Sequence, residues 1–249
     1  MNGSKINSEI GKWFKENREL YEWPPSATRK ISQERIINLC AGIQTAVAEG
    51  DRDALRSLLV EIHQWKTGNQ QNVTLKYCSA LEFEGLNYLD KLLGFGPFLN
   101  NQNLEDTIKH LKIDYCNLPV CTAIASFLYG RRNIPIIDIY LAQFFSRKFN
   151  NYSIDSPTGQ VLSYLKKINF RIEDGGKGKP RLAVYTLGGF TFNLNAYLHE
   201  FVPECNRISN ELKESGFVYI DICGQCVEFL SIDVEMAIFA WARKHRNLF

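Results

Sequence analysis

Asp138 closes the apolar run Ile134-Pro135-Ile136-Ile137 and precedes a helical stretch, Ile139–Phe145. A carboxylate so placed has two uses. It caps the helix by accepting from its open N–H groups, or it faces a cleft, where it stabilises developing positive charge or activates a water. Arg131 and Arg132 lie in the loop just before it and are candidates for holding phosphate. Lys166, Lys167, Arg171, Lys177, Lys179 and Arg181 are answered over the same stretch only by Glu173 and Asp174. This is the strongest electrostatic footprint in the chain, and it reads either as a phosphate-contacting loop or as a solvated surface loop. Cys223-Gly224-Gln225-Cys226 is half of a zinc-site spacing without the other half, and a hairpin turn accounts for it, so no metal is expected. The glycines of Gly175–Lys179 lack the spacing of a phosphate-cradling loop. His63 and His110 lie on helical stretches with no nucleophile motif beside them.

These residues must be positioned by a largely helical scaffold. A helix is predicted over Lys5–Tyr21, ended by Pro24-Pro25, and another from Ser32 with Ile36, Leu39, Cys40, Ile43 and Val47 on one face. Gly50 stops it, and Asp51 is the expected cap of the next, which carries Leu55, Leu58, Leu59, Ile62 and Trp65. Gly68–Asn72 reads as a polar loop, followed by helices over about Leu81–Leu93 and Asn103–Lys112. Short helices and tight turns fill the middle of the chain, and residues 151–181 read as an exposed excursion. Leu194–Leu212 returns to helical spacing, with Pro203 expected to kink or split it. Phe217–Ile222 and Cys226–Leu230 read as a β-hairpin, and a last helix starts near Asp233. The expected class is mostly α with a small C-terminal β-hairpin.

The 249 residues include 29 Lys+Arg, 27 Asp+Glu and seven Cys, with 45% hydrophobic and 22% charged residues. That balance belongs to a folded globular chain rather than a disordered one. No apolar run approaches the roughly 20 residues of a membrane span, and the N-terminal stretch has no hydrophobic signal core. An odd number of scattered cysteines points to reduced thiols and an intracellular setting. A net charge of +2 does not by itself mark a nucleic-acid binder, so any such surface must come from local clustering.

Helix, tight turn, helix, then an aspartate at the start of the next helix is the order carried by Asn117–Phe145, NLPVCTAIASFLYGRRNIPIIDIYLAQFF. This segment resembles the central stretch of the helix-hairpin-helix DNA glycosylase superfamily. The closing run DVEMAIFAWARK is similar to the last helix of uncharacterised bacterial members. The resemblance implies a helix-hairpin-helix glycosylase-like core in a single domain of two helical lobes, 32–150 and 1–31 plus 151–249. Its implied partner is double-stranded DNA; no membrane association is expected from the short apolar runs, and no cofactor is expected. Asp138 would be the catalytic residue of a monofunctional DNA glycosylase. Pro119, Val120, Cys121 and Thr122 would occupy the hairpin, with Arg131, Arg132, Lys166, Lys167, Lys177, Lys179 and Arg181 as further DNA contacts. Aligned on Ala125-Ser126, the family's Gly-Val-Gly positions hold Pro119, Val120 and Cys121, and Ala123 stands where bifunctional members carry a lysine. A non-catalytic scaffold for DNA or protein interaction is the rival implication.

Overall fold

Short polar side chains start several of the helices. Asn7 accepts from the N–H of Ile10 at 2.9 Å, Asp51 from Ala54 at 2.9 Å, Asn117 from Val120 at 3.2 Å and Ser156 from Gly159 at 3.0 Å. Each satisfies a donor that the first helical turn leaves open. Pro119 and Pro157 sit in such first turns, where a missing N–H costs nothing. The computed structural model describes residues 6–21, 33–68, 70–95, 104–130, 134–146, 155–174, 180–182, 189–221 and 224–245. Among these the chain is mostly helical, with two short antiparallel hairpins.

In chain order the elements are α1 (Ser8–Glu19), α2 (Gln33–Glu49), α3 (Arg52–Lys66), α4 (Gln71–Phe95), α5 (Leu104–Leu111), α6 (Leu118–Leu128), α7 (Ile139–Ser146) and α8 (Pro157–Tyr164). After them come β1 (Ile172–Asp174), β2 (Pro180–Leu182), α9 (Gly189–Ala196), a π-helical turn (Tyr197–Phe201), α10 (Val202–Glu214), β3 (Val218–Ile220), β4 (Cys226–Glu228) and α11 (Ser231–Lys244). They form two compact units, Glu22–Ile136, and Met1–Tyr21 together with Ile137–Phe249. The lobe limits expected at 32 and 150 therefore differ from the limits of the units. Helix α7 belongs with the chain's ends because it packs on α11, through Phe144 and Trp241 at 5.7 Å between ring centroids.

In the unit Glu22–Ile136, α6 is the central helix: every residue from Val120 to Leu128 is buried. Helices α2, α3 and α5 pack against it, with Trp65 edge-on to Phe127 at 5.8 Å. Ion pairs tie the outer helices, Arg35 with Glu61 between α2 and α3, and Arg56 with Glu82 at 2.6 Å between α3 and α4. Helix α4 starts ten residues before the stretch expected from the sequence, and Gly85 interrupts it at φ 68°, ψ −163°. Only glycine enters that region without strain. The interruption shifts the buried face from Thr74, Tyr77 and Leu81 to Tyr88, Leu89 and Leu92.

In the terminal unit, α1 lies along α11, with Trp13 and Trp241 6.2 Å apart. Asp233 joins three elements: it accepts from the Leu230 N–H at 2.9 Å, the Tyr219 hydroxyl at 2.8 Å and Arg18 Nε at 2.9 Å. Strands β3 and β4 pair in the expected place, Val218 with Glu228, Tyr219 with Val227 and Ile220 with Cys226. Pro203 is the second residue of α10, directly after the π turn. Its lack of an N–H interrupts the regular ladder, so the split expected there takes the form of a π-helical turn. The 151–181 stretch holds α8 and β1 rather than a plain loop, and β1 pairs with β2 through Glu173 and Arg181.

Candidate functional site

The α5–α6 turn spans residues 112–117. The N–H of Cys116 donates to the Ile113 carbonyl at 3.1 Å, and Tyr115 takes φ 65°, in the left-handed region unusual for a non-glycine residue. His63 braces the turn from α3, its Nε2 3.1 Å from the Tyr115 carbonyl, while its ring stacks on Tyr77 at 4.2 Å. Asn117 then caps α6. The turn therefore falls earlier than the resemblance placed it. Pro119, Val120, Cys121 and Thr122 form the first turn of α6: Val120, Cys121 and Thr122 are buried, and Pro119 is half-buried. The Thr122 hydroxyl donates to the Pro119 carbonyl at 3.1 Å. Their side chains are spent on packing, and the exposed residues of this region are Asp114, Tyr115 and Asn117. Asn before Leu-Pro was the available signal for the cap, since asparagine caps well and proline suits the first turn.

Asp138 follows the buried segment Ile134–Ile137 and caps α7. Its Oδ1 accepts from the Leu141 N–H at 2.9 Å, and its carbonyl accepts from Ala142 at 2.9 Å. The residue is half-buried. Arg131 and Arg132 lie outside the described residues.

The basic stretch is partly neutralised. Lys166 is exposed and its Nζ is 3.8 Å from Glu204, a carboxylate that is itself buried. Lys167 is exposed. Arg171, just before β1, and Arg181, across the hairpin on β2, both reach Glu173, at 3.3 and 3.8 Å. Lys177 and Lys179 lie outside the described residues. The site residues also divide between the units: 119–122 belong to Glu22–Ile136, whereas Asp138, Lys166, Lys167 and Arg181 belong to the other.

One charged cluster was missed by sequence reasoning. Arg207 holds Glu204 through two hydrogen bonds, Nε to Oε2 at 2.9 Å and a terminal nitrogen to Oε1 at 2.7 Å, and reaches Glu211 at 2.8 Å. The Tyr164 hydroxyl donates to Glu211 at 2.7 Å, and the Lys166 N–H donates to Glu204 at 2.9 Å. The two carboxylates hold the Arg207 guanidinium above its usual value, and burial together with Glu211 pushes the Tyr164 phenol up. Every charge has a partner, so this cluster clasps the 164–166 segment to α10 rather than offering a reactive group. The i, i+3 and i+4 spacing of Glu204, Arg207 and Glu211 was its only sequence signal.

Among the described residues no group of three or more His, Cys, Asp or Glu side chains could hold a metal ion. Cys226 is exposed on β4 and Cys223 lies outside the described residues. No described helix is long and apolar enough to cross a membrane. No protein-family model, curated protein or solved structure matches the chain.

Proposed function

We propose that the chain binds duplex DNA and acts as a monofunctional DNA glycosylase through Asp138. The observation that carries this reading is the order α5, turn, α6, the buried segment Ile134–Ile137, then a half-buried aspartate capping α7. Such a carboxylate serves base excision in one of two ways. It stabilises positive charge on the sugar as the glycosidic bond breaks, or it takes a proton from the water that replaces the base. The base must leave the stack to be reached, so binding precedes chemistry.

Asp138→Asn tests the assignment. Asparagine caps a helix about as well as aspartate, so stability and DNA affinity should stay near those of the wild type. Release of a damaged base should fall by at least about a hundredfold, the scale of a lost acid–base group. Excision at an unchanged rate removes Asp138 from the chemistry. With Ala123 in the lysine position, borohydride should trap no covalent complex with abasic DNA, because Ala123 offers no amine to form an imine.

The non-catalytic scaffold is favoured by a separate observation, the burial of residues 120–122 and the Asn117 cap that already engages the start of α6. A wild-type protein that binds duplexes yet releases no base from a broad panel of lesions supports that reading.

A further inference from the structure

Cys116 lies in the α5–α6 turn, one residue before the Asn117 cap, and Cys121 lies in the opening turn of α6. Both are free and fully buried. Their Sγ atoms are 3.5 Å apart, and the Cys121 thiol also lies 3.4 Å from the Cys116 carbonyl, to which it donates. We propose that these two thiols form a redox pair, closed to a disulfide by exchange with a small-molecule disulfide of the glutathione type. This rests on the thiols alone and is independent of the DNA reading.

The exchange balances without any further oxidant. One protein thiolate attacks a sulfur of the small disulfide, whose S–S bond breaks and releases one small thiol. The second protein thiol gives up its proton and attacks the protein sulfur of the mixed disulfide, releasing the second small thiol. The pair is oxidised by two electrons and the small disulfide is reduced by two. The sulfurs must close to about 2.0 Å, a short travel for side chains already in contact.

Burial sets the kinetics. It pushes the Cys116 thiol up, while the nearby Lys112 ammonium works in the opposite direction. A buried protonated thiol is a poor nucleophile, so the first attack waits for the turn to open. The turn is suited to opening, since half-exposed Tyr115 holds left-handed backbone that a non-glycine residue adopts at a cost. Once one sulfur has reacted, its partner is five residues away and ring closure outruns a second encounter in solution. Cys205 is equally buried, but no thiol lies within hydrogen-bonding reach of it among the described residues.

The test uses the native full chain incubated with glutathione disulfide, quenched with acid, alkylated and digested with trypsin. Peptide Ile113–Arg131 contains Cys116 and Cys121 and no other cysteine. It should appear about 2 Da lighter than the dithiol form and unalkylated, and a dithiol reductant should restore it. Closure should be slower than modification of exposed Cys226, and Cys205 should remain alkylatable as a thiol. In Cys121→Ser, Cys116 should instead accumulate the glutathione adduct. A peptide that stays fully alkylated while Cys226 reacts overturns the proposal. So does a link that forms only after unfolding in urea, or a wild-type peptide that carries glutathione adducts without the internal bond.

Discussion

The surroundings of His63 select one protonation state. Its Nε2 faces the Tyr115 carbonyl, which can only accept, so the proton of the neutral ring sits on Nε2. Its Nδ1 is buried with no hydrogen-bond partner. A second proton on Nδ1 would place a charged donor in the interior with nothing to receive it. Burial accordingly lowers the His63 value, against the weaker opposing effect of the Tyr115 carbonyl. A depressed histidine contributes stability above its unfolded value of about 6.5, and that contribution is lost as pH falls, because the unfolded chain takes the proton first. The cost is at most about 1.4 kcal/mol per pH unit below 6.5, down to the folded value. Urea midpoints measured from pH 7.5 to 5 should fall more steeply for the wild type than for His63→Gln. Parallel curves would show that the ring is protonated in place. None of this was legible in the sequence, where His63 is simply a histidine on a helix. Its meaning comes from a carbonyl 52 residues away, at a turn whose position became clear only with the Asn117 cap.

At the scale of elements, α1 packs closely at Gly11 against Phe217, the residue that leads into β3. A Cβ added at Gly11 would lie 2.1 Å from Phe217 Cζ, inside the ring's contact distance. Gly11→Ala should therefore destabilise by about 1–3 kcal/mol, the usual cost of overpacking, although alanine is the better helix former. Phe217→Leu in the same chain should recover part of the loss. An alanine variant as stable as the wild type would mean that α1 and the hairpin separate freely. Local signals served well where one element decided the outcome, as with the Asp51 cap and the β3–β4 pairing. They failed where two signals competed. The glycines and lysines of 151–181 outweigh Ser156-Pro157, a good helix start, so the local sequence pattern there gives a loop where the chain forms α8. In α4 the buried face uses Thr74 and Tyr77 before Gly85 and a different phase after it, so no single apolar stripe marks the full helix. The contact between Gly11 and Phe217 joins distant parts of the chain and leaves no local trace.

For the molecule as a whole, composition reports a charge close to zero, and the stretch 166–181 stands out against it. The sequence shows this cluster but not its neutralisation. Glu173 lies between Arg171 and Arg181, and Glu204, distant in sequence, draws Lys166. Exposed ion pairs of this kind add little to stability, so removing the carboxylate at 173 should leave the fold intact. It would, however, free two guanidiniums for phosphate. If this hairpin contacts the DNA of the proposed function, Glu173→Gln should raise affinity for a duplex and steepen its dependence on salt. The slope of log affinity against log salt changes by about 0.9 for each phosphate contact on double-stranded DNA. Full engagement of both arginines should therefore steepen it by up to about 1.8, whereas replacing Lys166 and Lys167 together by Gln should flatten it by up to the same amount. Titrations of one duplex at several salt concentrations read both changes. Because each substitution alters one unit of charge per residue at the surface, a general electrostatic effect would move affinity for the Glu173 and Lys variants without changing the slope by whole contacts. An unchanged slope in all of them would place the DNA surface elsewhere on the protein, or remove DNA as the partner if binding is absent at low salt.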